Sequence, residues 1–584
     1  MTETTADSTN ELTIKNMGTV LNHPSGLFVL FFTEMWERFS YYGMRALLVL
    51  FLTASLMDGG YGWERDNALQ LYALYTGLVY FTPLFGGMIA DKLTGYRKAV
   101  IIGAFVMALG HMFMALEKPM FFYMGLTALI IGNGLFKPNI SSIVGQLYSK
   151  PEKKDAAYTI FYMGINSGAF LGIMLCGYIG EKIGWPYGFG LAMIFMIAGA
   201  VQFWLSGSLF GEIGLKPTDD GIADKGVKDD LSQIGSSNTR VMKWAGAGLV
   251  SAVIVGVALY FGVFEEGAGA LTTINTLIVP PLLIGSTIGI LGFILSDPEN
   301  TKVEKDRIKV IIVFTMFTIF FWWGFEQAGG SMTIFADDYT NRNLVGSGAL
   351  IFKICNSILT VVPMLVITWV LIKLISVTFG KIGPANIVLG LAFAIIWGIV
   401  VWMLAREFSQ PDTEVPASWF GILNSFFIIT FAPLFSKFWE KGIITSGPLK
   451  FALGLILLAL GFAILAFGSM SIPQGAQTAS VSMIWLILAY LFHTLGELCL
   501  SPVGLSYVSK LAPLRLIGLM FGVFFLANFY ANWSAGMTGS FIDRIVESTS
   551  MSTFFLIFAV IPGAAALILV ALNGTLKKMM HGIE

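Results

Sequence analysis

The chain is long and strongly apolar. It has 584 residues, of which 56% are hydrophobic and 12% charged, and its mean hydropathy is +0.76. Because a soluble protein carries about 25% charged residues, this composition indicates a protein that crosses a membrane many times. A formal net charge of −1 excludes the basic surface expected of a nucleic-acid-binding protein. Cys176, Cys355 and Cys499 all lie in apolar stretches, which argues against a disulfide framework.

Apolar segments long enough to span a bilayer recur along the chain. We predict sixteen, at about 27–56, 68–90, 99–116, 121–147, 156–180, 187–208, 243–263, 271–295, 308–336, 348–375, 384–405, 417–439, 449–469, 480–509, 514–540 and 551–574. The first 26 residues are polar and lack the apolar core of a signal peptide, so we expect the first span to stay as an anchor.

Lysine and arginine are distributed unevenly between the two sides of these spans. An even number of spans places both termini on one side, and that side carries 25 Lys and Arg residues against six on the other. Because cytoplasmic loops are enriched in these residues, we predict a multi-pass protein of the inner (plasma) membrane with both termini in the cytoplasm.

The first span contains an unusual cluster of charged residues. Glu34, Glu37, Arg38, Tyr41 and Arg45 recur at helical spacing and form one stripe on a helix. Each charge at a bilayer centre costs on the order of 2.5–3.5 kcal/mol. The stripe must therefore face a protein interior or a wet cavity, and it predicts a functional ionisable site within the bundle.

Three further spans carry a deep charge, at Lys137, Glu326 and Glu497. Lys137 lies in the segment 132–139, too central to reach the membrane surface, and we expect it to pair with a carboxylate on another helix. Glu326 lies among aromatic residues and glycines, where an uncompensated charge is costly, so we expect it to take up protons. A static ion pair of Glu326 with Arg45 or Lys137 is the alternative.

The deep charges do not balance. Four acids, Glu34, Glu37, Glu326 and Glu497, face three bases, Arg38, Arg45 and Lys137. The remaining carboxylate must take up a proton or bind a cation such as an amine. This imbalance suggests proton coupling or recognition of an amine.

Other polar residues in the spans are less decisive. Asn166 lies between small residues in the fifth span and serves equally well as a ligand group or as a hydrogen bond between helices. His493 and Glu497 lie one helical turn apart, but the chain has only four histidines and no second ligand pair accompanies them. We therefore expect no metal site and assign His493 to packing or to the wall of a cavity.

Several motifs occur together in these spans. They are Glu34-x-x-Glu37-Arg38-Phe39-x-Tyr41-Tyr42-Gly43, Phe161-Tyr162-x-x-Ile165-Asn166-x-Gly168, Phe325-Glu326-Gln327-Ala328-Gly329 and Gly496-Glu497-x-x-x-Ser501-Pro502-x-Gly504-Leu505, with a basic loop containing Asp91 and Arg97. In combination they resemble the signatures of the proton-coupled oligopeptide transporter family, bacterial type, within the major facilitator superfamily.

The resemblance implies an all-α polytopic membrane protein with the major facilitator fold, which has two six-helix halves plus extra transmembrane hairpins. The implied division of the chain is a cytoplasmic tail (1–26), an N-terminal half (27–208), a cytoplasmic linker (209–242), an inserted hairpin (243–295), a C-terminal half (296–574) with a second hairpin at 348–405, and a C-terminal tail (575–584).

The resemblance also implies roles for the polar residues. The peptide α-amine would bind Glu497, Asn166 and Asn424. The α-carboxylate would bind the basic and tyrosine side chains Arg45, Lys137, Tyr41 and Tyr80. Glu326 would be the proton-responsive acid, and the coupling network would comprise Glu34, Glu37, Arg38 and Lys137.

This sequence departs from the family pattern at three places. Ala73 stands where animal relatives have a histidine, so coupling must rest on Glu326 or the first-helix acids. Phe524 stands where many bacterial relatives have tryptophan, which leaves side-chain preference open. The hairpin at 348–405 carries no deep acid, and its one base, Lys353, lies near an end, so we predict a peripheral, lipid-facing position.

The resulting hypothesis is a symporter that uses protons, with no cofactor, to import di- and tripeptides by alternating access, and that functions as a monomer in the lipid bilayer. The alternative with the same fold is a proton-coupled symporter of another small metabolite or an anion such as nitrate. A membrane-embedded enzyme is disfavoured, because no serine or cysteine nucleophile lies beside a base and no paired metal ligands occur.

Overall fold

The structure, a computed structural model, describes residues 12–148, 151–216, 238–265, 267–441 and 446–583. The described chain is built from long helices, and its strands are two-residue pairs. Thr19–Val20 pairs with His23–Pro24, Thr340–Asn341 with Val481–Ser482, and Asn343–Leu344 with Thr413–Glu414. The fold is therefore all-α, as predicted.

Six long helices form the N-terminal half. They are α1 (Ser25–Thr53), α2 (Arg65–Phe81, continued by Pro83–Ile89 and a π-helical turn at Ala90–Thr94), α3 (Tyr96–Met114), α4 (Pro119–Gln146), α5 (Pro151–Lys182) and α6 (Trp185–Leu205). A hairpin follows, of α7 (Asn238–Gly262) and α8, which comprises Ala270–Thr273, a π-helical turn at Ile274–Ile278 and Val279–Leu295.

The C-terminal half begins with α9, which comprises Lys302–Phe325, a 3₁₀ turn at Glu326–Gly329 and short helical turns at Ser331–Ile334 and Phe335–Tyr339. The remaining helices are α10 (Gly346–Ser409), α11 (a 3₁₀ turn at Ala417–Gly421 and Ile422–Glu440), α12 (Gly447–Gly468), α13 (Ile484–Leu511), α14 (Ile517–Ser540) and α15 (Met551–Met579).

The sixteen predicted spans correspond to these helices. Thirteen described helices are long and apolar enough to cross a membrane. The charged helix α1, the partly apolar α13 and a second span within α10 complete the set. Backbone angles at Ile382 break α10 into two spans, next to Pro384, which cannot donate a backbone hydrogen bond.

The two halves each pack internally and meet along two seams. α14 lies along α2, and α11 contacts α5. Glycines permit close approach in the first seam, since a Cβ on Gly536 would lie 2.6 Å from Ala73. The linker predicted at 209–242 falls largely on residues 217–237, which lie outside the described chain.

The two inserted hairpins occupy different positions. The α7–α8 hairpin packs against α14 and α2. α10 belongs to the C-terminal half by sequence, yet it packs against α6 and α1 of the N-terminal half. Lys353 donates to the Gln410 carbonyl oxygen (2.5 Å), and neither Lys353 nor Asn356 borders the central cavity.

The base of the α7–α8 hairpin is held by an ion-pair cluster outside the spans. Asp297 follows α8 and accepts hydrogen bonds from Arg240 (2.8 Å) and Arg515 (2.6 Å). Burial raises the pKa of Asp297, but the hydrogen bonds from Arg515 and Arg240 outweigh it and hold the pKa below its usual range. Through Arg515, which lies directly before α14, this cluster fixes the hairpin to the C-terminal half.

Close packing of α2 against α4 supplies a test of the fold. A Cβ at position 86 would overlap the carbonyl oxygen of Gly134, whereas a Cβ at position 87 finds its nearest neighbour, Pro138, at 3.9 Å. We expect Gly86→Ala to destabilise the protein by about 1–3 kcal/mol through overpacking. The measurement is the thermal unfolding midpoint in detergent, with Gly87→Ala as control; equal midpoints would contradict the described packing.

Candidate functional site

A central cavity of about 530 Å³ lies between the two halves. Helices α1, α2, α4 and α5 supply one wall, and α9, α11, α13 and α14 supply the other. Eight of the eleven residues singled out from the sequence line it: Arg38, Arg45, Tyr80, Lys137, Asn166, Glu326, Asn424 and Glu497. The other three, Glu34, Glu37 and Tyr41, lie behind this wall.

The turn of α1 explains which of its residues reach the cavity. Arg38, Tyr42, Arg45 and Ala46 line it, a set with helical spacing. Tyr41 points away, and its buried hydroxyl finds no hydrogen-bond partner among the described residues. The assignment of Tyr41 to substrate binding stays a prediction; in this conformation its neighbour Tyr42 borders the cavity.

A buried charge cluster links α1 to α4. Arg38 forms an ion pair with Glu37 and a second one with Glu34, whose Oε1 lies 3.2 Å from the arginine Nε. Asn133 of α4 donates to Glu37 (3.1 Å). The other Glu34 oxygen, Oε2, is buried without a hydrogen-bond partner among the described residues. One arginine thus serves two carboxylates.

The second buried ion pair joins the two halves. Arg45 of α1 pairs with Glu326 of α9, and the Tyr72 hydroxyl of α2 accepts from the Arg45 Nε (2.9 Å). α9 leaves α-helical geometry at Glu326–Gly329, and a side chain on Gly329 would overlap the Tyr72 hydroxyl. The glycine therefore permits this arrangement. The ion-pair partner of Glu326, expected from the sequence to be Arg45 or Lys137, is Arg45 in the structure.

Lys137 differs from the sequence-based expectation. Its ammonium lies over the Tyr80 ring, 4.6 Å from the centroid, and within the described chain it forms no ion pair with a carboxylate. The expected acids on α1 are already paired with Arg38. Lys137 thus presents a positive charge to the cavity, held by an aromatic face.

The opposite wall of the cavity carries the fourth acid. Glu497 accepts a hydrogen bond from Asn424 Nδ2 (2.8 Å), which also donates to Thr494 (3.1 Å). Within the described chain no basic side chain pairs with Glu497. Asn166 borders the same cavity and donates to the Tyr162 carbonyl of its own helix (3.0 Å). Within the described chain, Glu497 is thus a cavity carboxylate without a basic partner, in addition to the two first-helix acids that share Arg38.

Sequence reasoning gave no binding role to several cavity residues. The cavity is also lined by Tyr162, Trp322, Tyr490 and Asn528. Tyr162 belongs to the motif of the fifth span and Trp322 lies one helical turn before Glu326, and these positions were the available signal in the sequence. His493 packs on the Phe462 ring with centroids 4.3 Å apart, which fits a wall residue.

Ion pairs close the molecule at the face opposite the termini. Arg65 of α2 binds Asp338 (2.7 Å) and Asp543 (2.8 Å) of the C-terminal half. Glu181 of α5 accepts from the backbone N–H groups of Ala417 (2.7 Å) and Ser418 (3.0 Å) at the start of α11. Both seams are thus tied at this end.

Two six-helix halves around a cavity with separated charges define a membrane transporter of the major facilitator type. A sequence model of the POT family (PTR2) matches residues 97–224 and 402–555. The chain is 31% identical over 567 residues, 96% of both chains, to the uncharacterized transporter YclF of Bacillus subtilis (strain 168). It is 29% identical to the peptide transporter YePEPT of Yersinia enterocolitica, with 97% of each chain covered.

Solved structures agree with these sequence matches. A crystal structure of the peptide transporter POT in complex with sulfate aligns with TM-score 0.71 and 29% identity, covering 97% of this chain and 98% of the other. A POT family transporter in complex with 5-aminolevulinic acid aligns with TM-score 0.72 and 26% identity, covering 97% and 99%. The chain belongs to the POT family.

The closed face gives a conformational prediction. Met57 and Met470 are both exposed on the face opposite the termini, one in each half. Spin labels attached to Met57→Cys and Met470→Cys therefore report the distance between the halves, provided that the exposed Cys355 is replaced by Ser. Arg65→Ala removes, among others, the hydrogen bonds to the Asp338 and Asp543 carboxylates of the other half, each worth about 1.5–3 kcal/mol. We expect the longer-distance population to grow roughly tenfold or more relative to the short one.

Arg544→Ala is the matched control. Arg544 also bridges the halves, to Asp66 at 3.5 Å, but its side chain is 69% exposed. Exposed pairs contribute little, so we expect an unchanged distance distribution. An unchanged distribution in Arg65→Ala would show that these ion pairs do not hold the face closed.

Proposed function

We propose that the protein is a proton-coupled symporter that imports di- and tripeptides by alternating access. One observation carries the proposal: Lys137 and Arg45 lie on one wall of the cavity, and Glu497 with Asn424 lies on the other, where none of the described basic side chains pairs with it. A short peptide is a zwitterion, and its two charged ends complement these walls. The peptide-transporter relatives support the same substrate class.

The peptide would bind in one orientation. Its α-amine would replace the missing cation beside Glu497, with Asn166 and Asn424 as further partners, and its α-carboxylate would approach Lys137, Arg45 and Tyr80. Charge-assisted hydrogen bonds at both ends favour short chains over long ones, because the walls fix the distance between the termini. Phe524 and Trp322 border the remaining space and would receive side chains.

Proton coupling would act through the Arg45–Glu326 pair. When Glu326 is protonated, Arg45 is released to hold the peptide carboxylate, and when Glu326 is ionised, it competes with the peptide for Arg45. Proton and peptide then favour each other's binding, and this coupling is reciprocal. The unpaired Glu34 oxygen makes the first-helix cluster the next candidate for the proton site.

The alternative is a symporter of another small metabolite or an anion. A relative binds 5-aminolevulinic acid, which has both an amine and a carboxylate. An anion such as nitrate would leave Glu497 uncompensated in the same cavity, so Glu497 favours an amine-bearing substrate. Uptake of labelled dipeptide into proteoliposomes, with and without a pH gradient, separates these possibilities.

We further propose the cellular setting. The excess of Lys and Arg on the side of the termini supports cytoplasmic termini in the inner (plasma) membrane. The cavity lies wholly within one chain, which supports a functional monomer. Protons serve as the coupling ion in place of a cofactor, and the transporter relatives support transport without enzymatic catalysis.

Recognition of the peptide amine can be tested with a blocked substrate. N-acetylated dialanine cannot present a charged amine to Glu497, so a charge-assisted hydrogen bond is lost at a cost of about 1.5–3 kcal/mol. We expect it to compete with labelled dialanine about 10- to 150-fold less well than free dialanine. Equal competition would contradict the assigned role of Glu497.

Proton coupling can be tested with Glu326→Gln, which mimics the protonated acid permanently. The variant should still bind dialanine and exchange it between equal concentrations, because Arg45 is free. Concentrative uptake driven by an imposed proton gradient should vanish, because a glutamine side chain cannot take up and release a proton during transport. Glu299→Gln, at an exposed position, is the control. If Glu326→Gln vesicles accumulate dialanine as the unsubstituted protein does, the proton site lies elsewhere.

A further inference from the structure

The α7–α8 hairpin touches both halves of the transporter although it belongs to neither. α8 lies against α14, and its first turns contact α2. Asn275, an amide within these turns, is only 1% exposed. A buried amide at a junction of three helices needs hydrogen-bond partners, and their positions show which helices it connects.

Asn275 bonds to both halves. Its Nδ2 donates to the backbone carbonyl of Gln70 in α2 (3.1 Å) and to that of Leu271 in its own helix (3.1 Å). Its Oδ1 accepts from the indole Nε1 of Trp533 in α14 (2.9 Å). The residue lies in the π-helical turn Ile274–Ile278, a type of irregularity that is frequent at functional positions.

The contact lies at the closed end of the seam between α2 and α14. Gln70 is near the start of α2 and Trp533 near the end of α14, so both lie toward the face opposite the termini. Opening the cavity to that face requires α2 and α14 to separate there. A single amide side chain cannot then keep its bonds to both helices.

The remainder of the hairpin is attached to the C-terminal half. Thr287 of α8 shares a hydrogen bond with Tyr530 of α14 (3.0 Å), and Asp297 binds Arg515 (2.6 Å). The hairpin is therefore expected to move with the C-terminal half, so that the bond to Gln70 is the one that breaks.

We propose that Asn275 is a latch through which the inserted hairpin stabilises the conformation closed at the face opposite the termini. The inference rests on the alternating-access function proposed above. It gives the hairpin a role in setting the balance between the two conformations, although it lies outside the substrate cavity.

The test measures how often the cavity opens to that face. Thr333→Cys places a thiol in the cavity wall, in a background with Cys355→Ser and the two other cysteines buried. Its modification by a membrane-impermeant maleimide, added outside right-side-out vesicles, has a rate proportional to the open fraction. A side-chain hydrogen bond between membrane helices contributes about threefold to an equilibrium, so Asn275→Leu should speed modification by roughly threefold.

Two further variants make the result decisive. Trp533→Phe removes the hydrogen bond that orients the Asn275 amide and should also increase the modification rate. Thr287→Val removes a hydrogen bond between the hairpin and α14, which are expected to move together, and should leave the rate unchanged. An unchanged rate in Asn275→Leu, or equal acceleration in Thr287→Val, would overturn the latch. Neither measurement uses peptide, so failure of the unsubstituted protein to accumulate dialanine would count against the proposed function alone.

Discussion

The cost of burying charge in a low-dielectric bundle constrains the whole site. Charges at this depth are retained only with partners, and the structure partners them unequally. Arg38 forms ion pairs with two acids of its own helix, and Arg45 forms an ion pair with one acid of the opposite half. Lys137 contacts only the ring face of Tyr80 among the interactions described above, and Glu497 accepts a hydrogen bond from the Asn424 amide. The cavity therefore presents one incompletely compensated charge of each sign, Lys137 and Glu497. A zwitterionic ligand carries the two charges that would compensate them.

Backbone irregularities make this arrangement geometrically possible. α9 leaves α-helical geometry immediately after the aromatic segment that precedes Glu326, and the absence of a side chain at Gly329 lets Tyr72 reach Arg45. The π-helical turn in α8 similarly accompanies an amide that bonds to two other helices. In both places a departure from regular helix accompanies a polar contact between elements that must move relative to one another.

Much of this organisation follows from the sequence, and the failures have physical causes. Span length, hydropathy and glycine–proline breaks predict the helices, including the two spans merged in α10. Helical periodicity places α1 charges on one side but does not distinguish Tyr41 from Tyr42, because adjacent residues differ by only 100° around a helix. Among the described residues Lys137 has no acid partner, because Arg38 pairs with both first-helix acids. Which base pairs with these acids depends on distances in the folded protein. Nothing local in the sequence predicts that α10 packs on the half to which it does not belong.

Contacts between the halves must also be limited in strength. A transporter that alternates between two conformations needs them close enough in free energy for ligands to shift the balance, and moving a population from 1:99 to 99:1 takes about 5.5 kcal/mol. The closed face here is tied by separate polar contacts at Arg65, Glu181 and Asn275. Each contact can be exchanged for water or another polar partner on opening, so its net contribution is at most about 3 kcal/mol. Since the contacts lie on both seams, their sum sets the conformational balance that proton and peptide together must shift.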